Sequence, residues 1–325
     1  MKRLTPAAGC WIRVLTGFLW TVAGVVHAYE PGPPEVLSAA PGTVAAAEPI
    51  TPLPQAPAPD PRRVSLGERL FSDVRLSHDN NRSCTTCHDV KGNGATHRRL
   101  DSASDGTDLS FNTTTVFNAA LSFRLGWEGK YRTLESQIEA LLLNPQVMGS
   151  APEESAQKLR GDTVLAGEFE AAYGRGPDAA SILDALATYE RTLITPGSRF
   201  DRWLGGDVTA LSGQEIQGYA LFKSLGCIAC HQGVNVGGNL YERQGIFHPL
   251  ARPDPAILRV PSLRNVATTA PYFHDGSAPT LPVAVRKMGL AQLNTTLTDE
   301  QIEAIVAYLR TLTGTYQGTP VGARE

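Results

Sequence analysis

Sulfur is scarce in this chain, with five cysteines and three methionines among 325 residues. Setting the first 28 residues aside leaves Cys84, Cys87, Cys227 and Cys230 as thiols and Met148 and Met288 as thioethers. Four cysteines in so long a chain exclude a disulfide-dense scaffold. Alternating apolar and polar runs of strand length are also missing, which excludes a sandwich or a barrel. Positive charge is not in surplus. The formal net charge is −3, and without Lys2, Arg3 and Arg13 the remainder holds 26 basic against 32 acidic residues. That balance argues against nucleic acid and anionic membrane surfaces as partners. No apolar run reaches the ~20 residues of a membrane span. The nearest candidate, Trp11 to Val26, is interrupted by Arg13.

The N-terminus carries the pattern of a secretory signal. Lys2 and Arg3 precede the apolar stretch, and Val26-His27-Ala28 is a small-x-small cleavage site. Residues 1–28 are therefore expected to be removed after Ala28 and the protein to be periplasmic, a retained anchor being the alternative. Residues 29–60 are rich in Pro and Ala and lack apolar periodicity, so they read as a disordered linker.

Helical periodicity dominates the rest. Val64 to Phe71, Thr133 to Leu143, Asp178 to Ile194 and Ser212 to Leu225 each put apolar residues on one face. Thr298 and Gln301 form a capping box that opens a helix through Leu312. Gly-, Asn- and Thr-rich stretches at 84–117 and 233–270 read as long loops. The expectation is an all-α chain of two related domains, 61–197 and 198–318.

Cys84-Thr85-Thr86-Cys87-His88 and Cys227-Ile228-Ala229-Cys230-His231 account for every cysteine after the signal. Each is a C-x-x-C-H motif, in which two thiols form thioethers to a haem and the histidine reaches the iron. Redox disulfides and zinc sites are the competing readings, but neither explains the histidine. The motifs lie 143 residues apart, each preceded by a Leu-Phe pair, Leu70-Phe71 and Leu221-Phe222. Two covalently bound haem c groups are expected, with His88 and His231 as proximal ligands. The distal ligand decides between electron transfer and ligand chemistry. The candidates are Met148, Met288, His78, His97, His248 and His274.

Val260-Pro261-Ser262-Leu263-Arg264-Asn265-Val266 and Thr269-Ala270-Pro271-Tyr272-Phe273-His274-Asp275-Gly276 resemble the bacterial di-haem cytochrome c peroxidase and MauG family. Trp127-Glu128-Gly129-Lys130 and the spacing of the haem motifs resemble it too, so the likeness covers about residues 64–314. The resemblance implies two cytochrome c-like domains, with peroxide reacting at the N-terminal haem and electrons entering at the C-terminal haem. It implies Met288 as the C-terminal distal ligand, where MauG carries a tyrosine; a methionine packed in a helix core is the plainer reading. Trp127 matches the tryptophan between the haems, and Gln137 the distal glutamine. Asn112, Thr269 and Pro271 fall where the family binds Ca2+, and their oxygens suit that ion. His274 and Asp275 follow the family motif and are expected to act through their neighbours. His78 and His248 lie in loops and receive no role.

Two departures stand out. The family's distal glutamate, twenty residues after the tryptophan, is Val147 here. Valine transfers no proton, and losing a general acid–base slows peroxide cleavage by about 10²–10⁴-fold. Glu135 or Glu139 are the carboxylates that could substitute. The loop histidine that caps the resting iron in many peroxidases has no match except His97, which reads better as exposed. The expected function is a periplasmic peroxidase taking electrons from a small cytochrome c or cupredoxin, with a homodimer allowed. The alternatives are MauG-like modification of a protein substrate and a non-catalytic electron carrier or sensor.

Overall fold

A computed structural model describes residues 48–55 and 58–323. The expected signal peptide, and the linker as far as residue 47, lie outside the described residues. No helix among the described residues is long and apolar enough to cross a membrane.

The N-terminal half contains α1 (Pro61–Phe71), α2 (Leu134–Leu143), α3 (Pro152–Leu159), α4 (Thr163–Tyr173) and α5 (Ala179–Thr192). The C-terminal half contains α6 (Arg199–Leu204), α7 (Gly213–Ser224), α8 (Leu281–Leu293) and α9 (Asp299–Arg310). Between α7 and α8, β1 (Tyr241–Arg243) and β2 (Ile257–Arg259) form a two-stranded antiparallel ladder. Local chemistry starts most of these helices. Asp60 caps α1 ahead of Pro61, and reciprocal capping boxes open α2, α5, α7 and α9 at Thr133, Asp178, Ser212 and Thr298.

Both halves are built around the same helix crossing. Gly67 of α1 lies so close to α5 that an added Cβ would sit 2.0 Å from the Ala185 carbonyl oxygen. Gly218 of α7 meets α9 the same way, 1.9 Å from the Ala304 oxygen. Phe71 packs edge-on against Tyr189 at 5.4 Å, and Phe222 packs at a tilt against Tyr308 at 5.2 Å. Asn118 and Asn265 repeat each other as well. Each takes a left-handed φ of 59°, donates its amide to the carbonyl of the last core leucine (Leu193 or Leu312), and reaches Thr195 with its side chain. The internal repeat hinted at by the Leu-Phe pairs is thus a repeat of packing.

The two apolar cores divide between Leu193 and Phe200. Burying each large apolar side chain contributes about 1.5–3 kcal/mol. The tail crosses back: Val321 packs in the N-terminal core, and the Gly322 amide donates to the Gly92 carbonyl at 3.0 Å.

The linker expectation needs correction at its end. Ile50 is fully buried in the C-terminal core. Glu48 accepts from Tyr219 Oη at 2.5 Å and Lys223 Nζ at 3.1 Å, while the Thr51 carbonyl accepts from Arg264 at 2.9 Å. Residues 48–51 therefore form a strap on the second domain. One apolar side chain and a few acceptors suffice when the surface that receives them is already folded, and no periodicity announces that.

Candidate functional site

A single cavity of about 910 Å3 runs past both C-x-x-C-H motifs. Each motif folds as a short 3-10 turn, Cys84–Thr86 or Cys227–Ala229, that carries the histidine to the cavity wall. His88 Nδ1 lies 3.1 Å from the Gly94 carbonyl and His231 Nδ1 lies 3.3 Å from that of Val236. Those carbonyls fix the Nδ1–H tautomer and leave Nε2 as the metal-binding nitrogen. Phe71 and Phe222 flank the two rings at 6.4 and 6.3 Å. Burial lowers the pKa of both imidazoles, His231 to about 4, so both are neutral near pH 7, as iron ligation requires.

The cysteines support thioether attachment over thiol exchange. No disulfide joins any of the four, and burial pushes Cys84 up to about 12 and Cys87 and Cys227 to about 11. Redox-active and metal-binding thiols need the opposite shift.

The cavity also fits a haem in its polar lining. Arg259 is buried, its pKa is lowered by desolvation, and its Nη1 has no partner among the described residues. A buried guanidinium is costly without an anion, and the carboxylates of a haem would supply one. Gly94, whose carbonyl faces His88 Nδ1, has φ 75°, and a Cβ there would lie 2.5 Å from Thr115 Oγ1 on the cavity wall. Glycine is needed on both counts.

Met288 lies on α8 and lines the cavity together with His231. Met148 also borders the cavity but is packed in the N-terminal apolar core. His97 is exposed and lies off the cavity wall. His78 faces Glu154, and His248 Nε2 lies 2.9 Å from Asn294 Oδ1, both at the surface.

Trp127 occupies the seam between the halves. Its Nε1 donates to the Asn112 carbonyl at 2.7 Å, and its own carbonyl accepts from the Arg259 amide at 2.8 Å. Its ring meets His274 edge-on at 6.3 Å. His274 is buried with Nε2 unpartnered among the described residues, and its carbonyl accepts from the Asn112 amide at 2.7 Å. Asn112, Thr269 and Pro271 line the same cavity. The Asn112 Nδ2 donates to the Arg98 and Arg99 carbonyls, which leaves Oδ1 as the oxygen open to a cation.

Gln137 and Val147 both line the N-terminal part of the cavity. The two substitute carboxylates do not. Glu135 is paired with Arg191, and Glu139 is exposed. The carboxyl that does line this part is Glu190 of α5, which sequence reading passed over as one more charged residue near a helix end. Arg259 was missed for a similar reason: an arginine beside a loop motif has no sequence signal of burial.

Two histidine-bearing attachment motifs on one cavity, each in a helical domain of the same plan, define a di-haem c-type cytochrome. Residues 61–209 match the family model for di-haem cytochrome c peroxidase, and residues 216–313 match that for cytochrome c. The cytochrome c551 peroxidase of Nitrosomonas europaea is 36% identical over 288 residues, covering 84% of this chain and 86% of that protein. The methylamine utilization protein MauG of Methylorubrum extorquens is 31% identical, covering 69% of this chain and 68% of that protein. A crystal structure of a MauG-like protein associated with microbial copper homeostasis superposes with a TM-score of 0.69 at 25% identity, covering 81% of this chain and 93% of that one. The chain belongs to the di-haem cytochrome c peroxidase family. It is mostly helical, with two cytochrome c-like domains, and is a peroxidase-like oxidoreductase.

Proposed function

We propose that this chain is a periplasmic di-haem peroxidase. Hydrogen peroxide reacts in the His88 pocket, and electrons from a small cytochrome c or cupredoxin enter at the His231/Met288 site. Bound haem supplies the redox-active iron at each site; the remaining work belongs to the residues. His88 and His231 hold neutral nitrogens toward the cavity. Met288 faces the C-terminal site as a thioether that raises its potential and suits it to accept electrons. Gln137 offers an amide to a ligand in the N-terminal part of the cavity. A calcium ion held by Asn112 Oδ1 and the carbonyls of Thr269 and Pro271 would stiffen the seam.

The observation that carries this reading is the placement of Trp127. It is hydrogen-bonded to one domain through Asn112 and to the other through Arg259, on the wall of the cavity that both motifs share. That placement supports a relay between two sites of unlike chemistry.

Val147 favours a second reading, a di-haem electron carrier or sensor without peroxide turnover. The two are separated by mixing the haem-loaded protein with hydrogen peroxide and reduced cytochrome c, from the fully oxidised and from the half-reduced state. Peroxide-dependent oxidation of the donor is expected, and its absence in both states leaves the carrier. Val147→Glu is expected to raise the peroxide-dependent rate by about 10²–10⁴-fold, the usual worth of a placed acid–base group.

A further inference from the structure

The repeat provides an internal comparison of the two haem pockets. Gly67, Ala185 and Tyr189 at the first crossing correspond to Gly218, Ala304 and Tyr308 at the second. The residue after each tyrosine lines the cavity: Glu190 in the N-terminal domain, Leu309 in the C-terminal one. The C-terminal counterpart is thus an apolar side chain. A carboxyl in such a position is costly unless it is paired or neutral.

Glu190 has no pairing to offset that cost. It is 9% exposed, and no hydrogen bond among the described residues reaches its carboxylate. It lies near enough to Cys84 for its charge to act on that thiol, which places it beside the first attachment cysteine. The charged groups facing it are few. Arg191 on its own helix lowers its pKa and Glu135 of α2 raises it, and these two are paired with each other. Glu68 of α1 acts on Tyr189 and on Tyr316 of the tail rather than on Glu190. Of the other acids on the cavity wall, Glu128 is bridged to Lys130, and Glu242 accepts from the Arg243 amide beside the other motif.

We propose that Glu190 is the redox-linked proton site of the N-terminal haem pocket. It takes one proton from solvent when one electron enters that haem and releases it when the electron leaves. The electron comes from the donor, or from an electrode in the test below, and the proton from water, so the net charge of the pocket stays constant. Burial, the leading cause, already holds the carboxyl up at about 8. The net positive charge of an oxidised haem beside it would favour the ionised form, and loss of that charge on reduction would favour the neutral one. The inference rests on haem attachment at Cys84 and Cys87 and not on peroxide as substrate. Failure of the peroxidase reading leaves it standing, and its own failure leaves that reading standing.

The test is spectroelectrochemical titration of both haems in the full-length haem-loaded protein and its Glu190→Gln variant, from about pH 6 to about pH 9, the range around the raised pKa. In the wild type the N-terminal potential is expected to fall with rising pH, toward the limit of about 59 mV per tenfold change in proton activity for a one-electron step. In the variant that dependence should flatten. The C-terminal haem, backed by Leu309, should behave alike in both proteins. An unchanged N-terminal slope in the variant overturns the proposal. Should the variant fail to load haem, the redox-difference infrared spectrum of the wild type decides. A protonated-carboxyl band gained on reduction supports the proposal, and its absence overturns it.

Discussion

Gly67→Ala tests whether the α1–α5 crossing sets the N-terminal domain. The added Cβ would lie 2.0 Å from the Ala185 carbonyl oxygen and 2.7 Å from Tyr189 Cβ. Neither neighbour is the loose end of a flexible side chain. The helices must therefore separate by about 1 Å before the contact is tolerable, which pulls Leu70 and Phe71 away from α5. Overpacking of this kind costs about 1–3 kcal/mol, and a backbone contact belongs at the upper end. Alanine returns up to about 1 kcal/mol through helix propensity, so the net loss is about 2 kcal/mol. For a domain of this size that is a fall of about 4–8 °C in melting temperature. Gly167 in α4 is the matched control, since nothing lies within 4 Å of a Cβ there. Gly167→Ala should raise the midpoint by a few degrees, from about 0.5–1 kcal/mol. The assay is thermal unfolding of the haem-loaded proteins, followed by far-ultraviolet dichroism and by haem absorption. Because Phe71 flanks His88 at 6.4 Å, Gly67→Ala should also disturb the N-terminal haem spectrum first. A Gly67→Ala midpoint within about 1 °C of wild type would refute the crossing as the organising contact.

Three further outcomes follow from the same structure. Arg264→Met leaves Asp201 buried without its 2.7 Å guanidinium partner, so a loss of about 3–5 kcal/mol is expected; denaturant midpoints would measure it, and adding Asp201→Asn should restore part of it. Burial pushes the Glu215 carboxyl up, but Arg199 and the Ser212 amide outweigh that and hold it below 4.5. Its stabilisation is therefore complete above that pH and lost as pH falls through the lower folded value, so Glu215→Gln should flatten that part of an acid-denaturation curve. Trp127→Phe keeps an aromatic ring but loses the 2.7 Å bond to the Asn112 carbonyl; steady-state donor oxidation should fall about tenfold, or 1.4 kcal/mol of barrier, with both haem spectra unchanged.

Chemistry that is local in the chain was legible before any fold was known. The C-x-x-C-H motifs announce haem attachment because thioether spacing and the adjacent ligand are a matter of five consecutive residues. Helix starts at Thr133, Asp178, Ser212 and Thr298 were readable because a cap is a contact between near neighbours. Short or proline-led helices such as α3 and α6 escaped, since too few turns are present to show a period. Trp127, Met288 and Gln137 were named through resemblance, and the fold brings all three to one cavity wall.

What the tertiary structure decided are contacts across long separations. Ile50 reads as part of a proline-rich tether and is instead buried in a domain that begins some 150 residues later. Arg259 and Glu190 look like ordinary charged residues, yet both are buried on the cavity wall and lack charged partners there. Sequence by itself determined that this protein carries two haems on helical domains, because covalent attachment and capping are written in adjacent residues. Which carboxyl stands in the N-terminal pocket, now that position 147 is valine, depended on the packing of α5 against α1 and α2. Burial is a property of the fold, and only the fold could show it.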